Sequence, residues 1–239
     1  MFREGCWRII FSLAVCLLVS SSELAGAEHL METEDSQLLE GLRKRALFQV
    51  AQSHCQLHLE TPGLSVLQRT QWTIEWIRTH AQHALSLPAD ARPAQWQQAR
   101  KVASDYLQRY PRYPQRTLVQ VQDALTLLAR GELLRQEAAI SLQSDERLTT
   151  ALETLRMSVR ILEKLDATLS KMIPAARNET GDDDSLSQTR LMSLQYHVQF
   201  QLARAFRNQA LCYPDRSDDQ IAALQKALNQ LAKPLNQLA

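Results

Sequence analysis

Apolar residues recur at helical spacing along most of the chain, and turn-forming residues separate one such segment from the next. The clearest stripe joins Leu148, Leu152, Leu155 and Val159 and continues at steps of three or four residues to Ile173, broken only by Asp166. No segment shows the strict alternation of apolar and polar residues that indicates a half-buried strand. The pattern therefore predicts an all-α fold with seven helices, at about residues 35–59, 65–87, 92–110, 115–142, 145–173, 185–212 and 218–232.

Several predicted helices begin at a serine. In a capping box, a serine side chain and the side chain of a glutamine three residues later each accept a hydrogen bond from a backbone N–H of the helix start. Three such pairs are present: Ser65-x-x-Gln68, Ser185-x-x-Gln188 and Ser217-x-x-Gln220. Short connections favour antiparallel neighbours. We therefore expect stacked antiparallel hairpins, an α-solenoid, in which the helix at 145–173 packs against the one at 185–212 and the last helix stands alone.

A repeat-like spacing lies in the last two predicted helices. It is carried by Leu202-Ala203-x-x-Phe206, followed after a turn by Ala222-Ala223 and later by Pro234. This segment of about 40 residues resembles a tetratricopeptide repeat. It departs from that family in the extra loop at residues 213–219 and in the longer hairpins upstream. The resemblance implies a superhelical scaffold that binds protein segments on its concave side.

The first residues follow the order of a secretory signal peptide. Arg3 and Arg8 flank the start of an uncharged run at residues 9–22, and small residues ending at Ala27 follow it. The run is shorter than the ~20 residues of a transmembrane helix, and no later segment stays uncharged for long enough. We therefore expect cleavage near Ala27 and a helical-repeat domain at residues 28–239, in the periplasm, in the cell envelope or outside the cell.

Two of the four cysteines fall in the predicted signal peptide. One of them, Cys16, offers the alternative of a lipid anchor, but Val15 stands where a lipobox has a small residue. The other two, Cys55 and Cys212, are far apart in sequence, near the ends of different predicted helices. In a repeat array each unit contacts mainly its neighbours, so we expect two free thiols that act as small buried apolar groups.

Charge and composition exclude several function classes. The 239 residues include 27 basic and 26 acidic side chains, a net charge of +1, which is no footprint for nucleic acid or anionic lipid. A hydrophobic fraction of 45% with only 6 glycines and 8 prolines indicates a folded helical domain rather than a disordered chain.

Four histidines raise the question of a metal site. His54 and His58 lie four residues apart on one predicted helix, and His80 and His83 lie three apart on the next. In an antiparallel hairpin that turns near residue 62, the second pair lies roughly 25 Å beyond the first, at 1.5 Å per residue. The two pairs cannot converge within that hairpin, and we predict no metal and no other cofactor.

Aromatic residues are the other candidates for binding. Trp72 and Trp76 lie one turn apart on the second predicted helix, and Trp96 lies on the third. Exposed tryptophans would form a hot spot for a partner peptide or a stacking surface for sugar. Packing between hairpins is the commoner use of large aromatics, and this alternative stays open.

Two acidic features have structural explanations. The run at residues 182–184 lacks the alternating ligands of a calcium loop and precedes a predicted helix start, where negative charge is stabilising. The same loop contains Asn178, in an N-glycosylation pattern that matters only in a eukaryotic source. Asp166 interrupts the apolar stripe of the fifth helix, and we expect it to face an opening near the helix end.

Motifs of the common catalytic sites are absent: no G-x-S-x-G, no H-E-x-x-H, no P-loop and no G-x-G-x-x-G occurs. The leading hypothesis is a non-enzymatic, exported helical-repeat scaffold for protein-protein contacts. The alternatives are an exported enzyme with an unrecognised site, for example one that processes envelope polysaccharide, and a module that binds a small ligand or a metal.

The C-terminal helix has more apolar positions than one neighbour can cover. Leu224, Leu228, Leu231, Leu235 and Leu238 form a stripe with no polar outer face, although a terminal repeat normally presents one. We expect this end either to dock on a partner protein or to be the truncation point of a longer repeat protein. The candidate partner surface therefore comprises Trp72, Trp76, Leu224, Leu228, Leu231 and Leu235.

Overall fold

The computed structural model describes residues 33–140, 144–176 and 186–237. Within these ranges the chain forms helices and no strand, which confirms the all-α class. The helices are α1 (Thr33–Lys44), α2 (Phe48–Glu60), α3 (Val66–Ser86), α4 (Arg92–Arg109), α5 (Arg116–Ala139), α6 (Ser144–Ala176), α7 (Gln188–Ala210) and α8 (Asp218–Gln237). Over the same ranges, no helix has the length and hydrophobicity that a bilayer span requires. Outside them lie the predicted signal peptide, Asn178, the acidic run at 182–184, Ser185 and Leu238.

The single helix predicted at residues 35–59 is wrong, because two helices occupy that segment. Ala46 has a left-handed backbone, with φ of 58°. The N–H of Leu47 donates to the carbonyl of Leu42, at 2.9 Å, and the N–H of Ala46 donates to that of Arg43, at 3.0 Å. This pair of bonds is the Schellman motif that ends many helices, usually with glycine at the left-handed position. The break turns α1 back so that it packs on both α2 and α3.

Each helix packs against its neighbours in the chain. In addition, α1 contacts α3, α3 contacts α5 and α5 contacts α7. The odd-numbered helices therefore form a continuous row. The sequence pattern predicted that the last helix stands alone. This is wrong, because α8 packs along α7.

The largest apolar core is built around α6, which lies between α5 and α7. Its residues Leu155, Leu162 and Leu169 are completely buried in this core. The predicted antiparallel packing of α6 against α7 is confirmed: Gln195, near the start of α7, donates to Ser170 near the end of α6. Smaller clusters join α3 with α4 and α5, and α1 with α2 and α3.

The capping signals differ in outcome. Ser65 forms the complete box with Gln68 at the start of α3. The hydroxyl of Ser217 accepts from the N–H of Gln220, at 3.2 Å, but the Gln220 side chain accepts from Arg216 rather than from the cap. At the start of α7, the serine that accepts a backbone N–H is Ser187. The partner of Gln188 in the predicted box, Ser185, lies outside the described residues.

Asp166 does not face an opening, because its side chain is buried among three helices. Gln195 and Gln199 of α7 donate to its Oδ1, at 3.2 and 3.0 Å, and Lys233 of α8 donates to its Oδ2, at 2.9 Å. The expectation that Asp166 faces an opening near the helix end is therefore wrong. The aspartate joins α6, α7 and α8 through a polar network.

The two cysteines are free thiols. Cys55 is buried in the core that joins α1, α2 and α3, and burial raises the pKa of its thiol to about 12. Cys212 is half-buried after the end of α7, and burial raises its pKa as well. Both are protonated at neutral pH and pack as small apolar groups.

Candidate functional site

A cavity of about 540 Å³, which we call the apolar pocket, opens between α5, α7 and α8 at the end of α3. Small residues on α5, α7 and α8 form part of its floor, namely Ala129, Ala203 and Ala227. Larger apolar side chains form its walls: Leu85, Leu133, Phe200, Leu224, Leu228 and Leu231. Pockets of this size and composition are typical of sites that bind an apolar ligand or side chains of a partner.

The leucines of the pocket are exposed because α8 packs on α7 through a different face. Ala223 and Ala227 are buried, and their small side chains allow the two helices to approach closely. Leu224, Leu228 and Leu231 follow helical spacing beside that seam and remain 41%, 61% and 46% exposed. The stripe is therefore uncovered, as the sequence pattern predicted. The side chain of Leu235 lies outside what the structure describes.

Phe200 is a member of the pocket that the sequence pattern did not reveal. Its side chain is 55% exposed, although it lies midway along α7. The buried positions of this helix include Val198 and Leu202, two residues to either side, so Phe200 is out of phase with the buried stripe. An aromatic residue out of phase on an otherwise amphipathic helix is the signal that could have identified it.

One wall of the pocket is polar and joins α5 to α7. Both carboxylate oxygens of Glu132 accept from Arg204, and Nδ2 of Asn208 donates to its Oε1 at 2.7 Å. Arg135 donates to Oδ1 of Asn208 at 3.0 Å. Burial raises the pKa of Glu132, and the charge and hydrogen bonds of Arg204 lower it in part. The network fixes the position of α7 relative to α5 and so sets the width of the pocket.

The pocket carries an excess of positive charge. Arg135, Arg204 and Arg207 line it, whereas Glu132 is the one carboxylate in the lining. Within the described part of the chain, the guanidinium of Arg207 has no hydrogen-bond or ion-pair partner, and the residue is exposed. An apolar ligand with a carboxylate or phosphate group would therefore find both an apolar surface and a cation.

The tryptophans do not belong to this pocket. Trp72 is 4% exposed in the core that joins α1, α2 and α3, so the structure places it in helix packing rather than on a partner surface. Trp76 is half-buried and lines a separate cavity of about 290 Å³ between α3 and α4, with Tyr106 and Tyr110. Trp96 is buried between α3 and α5. Of the candidate partner surface, only residues of α8 meet in the apolar pocket.

The two histidine pairs lie apart, as the hairpin geometry predicted. His80 contacts two glutamines: its Nδ1 is 2.7 Å from Oε1 of Gln95 and 3.2 Å from Nε2 of Gln52. Nδ1 of His83 is 3.1 Å from the same Gln52 nitrogen, and burial lowers the pKa of both histidines. The other pair, His54 and His58, meets a carboxylate from α1 instead.

Comparison with known protein families, curated proteins and solved structures gives no match for this chain. The resemblance to tetratricopeptide repeats therefore stays a prediction, and the function has to be argued from the site itself.

Proposed function

We propose that this chain is an exported, non-enzymatic α-solenoid scaffold that binds a segment of a partner protein in the apolar pocket. The observation that carries the proposal is the uncovered stripe Leu224, Leu228 and Leu231, which faces the exposed Phe200 across a cavity of about 540 Å³. Contiguous apolar surface of this kind, bordered by polar residues, marks an interaction site.

The spacing of the stripe indicates the conformation of the partner segment. The three leucines recur at helical intervals along α8, so a helix laid beside α8 contacts all of them with its own residues i, i+3 or i+4, and i+7. Helix-on-helix contact is also how this fold buries apolar surface, since each odd-numbered helix already packs against another helix of that row. The occupant is therefore an amphipathic α-helix.

The charge of the pocket indicates which amphipathic helix it prefers. Arg207 is exposed and unpaired within the described residues, and Arg135 and Arg204 stand beside it. Arg204 is already paired with Glu132, so acidic residues flanking the apolar face of the partner helix would pair with Arg207 and Arg135, whereas lysines there would be repelled. We therefore propose an acidic amphipathic helix as the ligand.

An enzymatic site is supported less well by the same residues. General acid–base chemistry requires a carboxylate or histidine that can exchange a proton with a substrate. The carboxylate in the pocket lining, Glu132, has both oxygens bound by Arg204 and a further bond from Asn208. These bonds give the carboxylate of Glu132 a structural role, and they occupy the oxygens that would have to exchange a proton with a substrate.

The test uses two fluorescent helical peptides with the same leucine stripe, one flanked by glutamates and the other by lysines. We expect the acidic peptide to bind, by fluorescence anisotropy, at least about tenfold more tightly than the basic one, and more weakly as salt rises. Leu228→Gln should abolish most of this binding. Leu57→Gln is the matched control. Leu57 is 65% exposed, close to the 61% of Leu228, but it lies on α2, which does not line the pocket.

Two results would overturn the proposal. One is equal affinity for the acidic and basic peptides. The other is an equal loss of peptide affinity in Leu57→Gln and Leu228→Gln, since binding would then be non-specific hydrophobic contact with exposed leucines rather than binding in the apolar pocket.

A further inference from the structure

We propose that Asp35, His54 and His58 form a binding site for a divalent transition-metal ion such as Zn²⁺. The two histidines lie one turn apart on α2, with ring centroids 4.6 Å apart, and α1 contributes the aspartate. One ligand atom from each of the three residues lies within 4.8 Å of the other two. This site does not depend on the function proposed for the apolar pocket.

The distances fit a tetrahedral ion. Zinc binds histidine nitrogen at about 2.0–2.1 Å and carboxylate oxygen at about 2.0–2.2 Å, so two donors on a tetrahedral zinc are about 3.3 Å apart. Nε2 of His54 lies 3.2 Å from Oδ1 of Asp35. The other donor separations are at most 4.8 Å, so each exceeds the tetrahedral value by no more than about 1.5 Å.

One wall of the site is rigid. The ring of His58 stacks on the buried indole of Trp72, with centroids 3.9 Å apart and planes at 9°. His54 meets the same indole edge-on, at 5.4 Å. Packing against a core residue restricts both imidazoles before any ion arrives, and this preorganisation favours binding. All three ligand residues are half-buried, which leaves the ion access from solvent.

The charge and chemistry of the donors agree with a divalent cation. Within the described residues, the carboxylate of Asp35 has His54 as its one ion-pair partner, so no lysine or arginine compensates it. Two imidazoles and a carboxylate suit zinc and other first-row divalent metals rather than calcium or magnesium, which prefer all-oxygen sites. Three protein ligands leave a fourth position for water or for a ligand from another molecule.

The ion would join α1 to α2. Helix α1 is otherwise held by a few contacts, chiefly the buried Leu39 and the ion pair of Arg43 with Glu75. A metal that binds the folded site and not the unfolded chain stabilises the folded state. Zinc should therefore increase the protection of α1 against hydrogen exchange and raise the melting temperature.

The test is competition for Zn²⁺ between the metal-free purified protein and a chromophoric chelator. We expect one ion per chain, a loss of at least about tenfold in affinity for His54→Gln, for His58→Gln and for Asp35→Asn, and no change for the control His83→Gln. Co²⁺ in place of zinc should give the visible absorption of a tetrahedral site in the wild type and lose it in the three variants. Circular dichroism of each variant without metal separates loss of the site from loss of the fold.

Three results would overturn the site. They are the absence of stoichiometric zinc binding by folded wild-type protein, zinc binding that survives in the His54→Gln, His58→Gln double variant, and an Asp35→Asn variant that binds like the wild type. In the last case the aspartate would serve only as the hydrogen-bond partner of His54 that it is in this structure.

Discussion

The guanidinium of Arg204 in α7 binds both carboxylate oxygens of Glu132 in α5, with Nε 2.7 Å from Oε1. Both side chains are mostly buried. This pair joins two helices of the odd-numbered row in the polar wall of the apolar pocket, so the stability of the fold and the shape of the pocket depend on the same contact.

Removal of one partner from this pair should cost more than removal of both. Arg204→Met leaves the carboxylate of Glu132 buried without its cation, and we expect a loss of about 3–5 kcal/mol in the free energy of unfolding. The double variant Glu132→Leu, Arg204→Met should be more stable than Arg204→Met, because no charge is left buried. Urea unfolding of the three proteins gives the comparison, and a double variant less stable than the single one would contradict it.

A second buried carboxylate should make stability depend on pH. Glu75 in α3 forms two ion pairs: its Oε2 lies 2.6 Å from Nη1 of Arg43 in α1, and its Oε1 lies 2.7 Å from Nη1 of Arg78. Burial alone would raise the pKa of Glu75, but the two arginines together outweigh it and hold the pKa below the usual 4.5. Its stabilising contribution is therefore present above pH 4.5 and is lost as the pH falls through the lowered value.

The variant Glu75→Gln isolates this effect. We expect it to be less stable than the wild type at neutral pH and to lose less stability on acidification below about pH 4.5, because its amide does not titrate. Urea midpoints at several pH values test this expectation. Parallel curves for the two proteins would show that Glu75 does not carry the acid sensitivity.

The length of the helical segments and their antiparallel order could be predicted from the sequence, because Leu155 and its neighbours repeat at helical spacing and proline-containing turns mark the ends. The break at Ala46 could not, since the left-handed residue there is alanine and no glycine marks it. That break brings Asp35 close to His54 and His58 of α2, so the candidate metal site could not be predicted from the sequence either.

Only part of the apolar pocket could be predicted from the sequence. The leucines of α8 were recognised because they outnumber what one neighbour can bury, and Leu228 is indeed 61% exposed. Trp72 was a candidate for the same surface, but the fold of α1 over α2 and α3 buries it. Periodicity says which residues share a face of a helix; whether another helix covers that face depends on tertiary packing.

A close approach between α5 and α6 depends on a glycine. A Cβ built on Gly131 would lie 2.7 Å from Cγ of the fully buried Leu155, a distance that real Cβ atoms do not tolerate. We expect Gly131→Ala to destabilise the protein by about 1–3 kcal/mol through overpacking. Leu155→Ala should cost about 2–5 kcal/mol through the cavity that it leaves.

The double variant tests that the two residues share one space. With the leucine truncated, the added methyl group at residue 131 has room, so the cost of Gly131→Ala should shrink or change sign in the Leu155→Ala background. Met157→Ala is the control, because Met157 is an exposed residue of the same helix. Strictly additive costs would contradict the close contact of residues 131 and 155. An unchanged stability for Leu155→Ala would place this seam on the surface and contradict the packing of α6.

The last prediction concerns the helix that forms the leucine wall of the apolar pocket. The first half of α8 is held on α7 by two small buried residues, Ala223 and Ala227, and by Lys226 over the ring of Phe206. Further along the helix, Lys233 forms an ion pair with Asp166 at 2.9 Å. Leu228 and Leu231 are exposed, so over residues 228–233 the ion pair is the main side-chain attachment of the helix. Lys233→Ala should change global stability by no more than about 1 kcal/mol, because the Lys233 side chain is 41% exposed and Gln195 and Gln199 still donate to the carboxylate of Asp166 in the variant.

The effect should appear as local opening instead. In hydrogen exchange read by mass spectrometry, we expect amides after residue 227 to exchange faster in Lys233→Ala, while those of α7 keep their protection. The acidic peptide should bind this variant more weakly, because a mobile wall must be ordered on binding. Lys226→Ala is the comparison, because Lys226 lies over the ring of Phe206 in α7 and its loss should affect the first half of α8. Equal exchange of the amides after residue 227 in both variants would mean that the ion pair does not hold the wall in place.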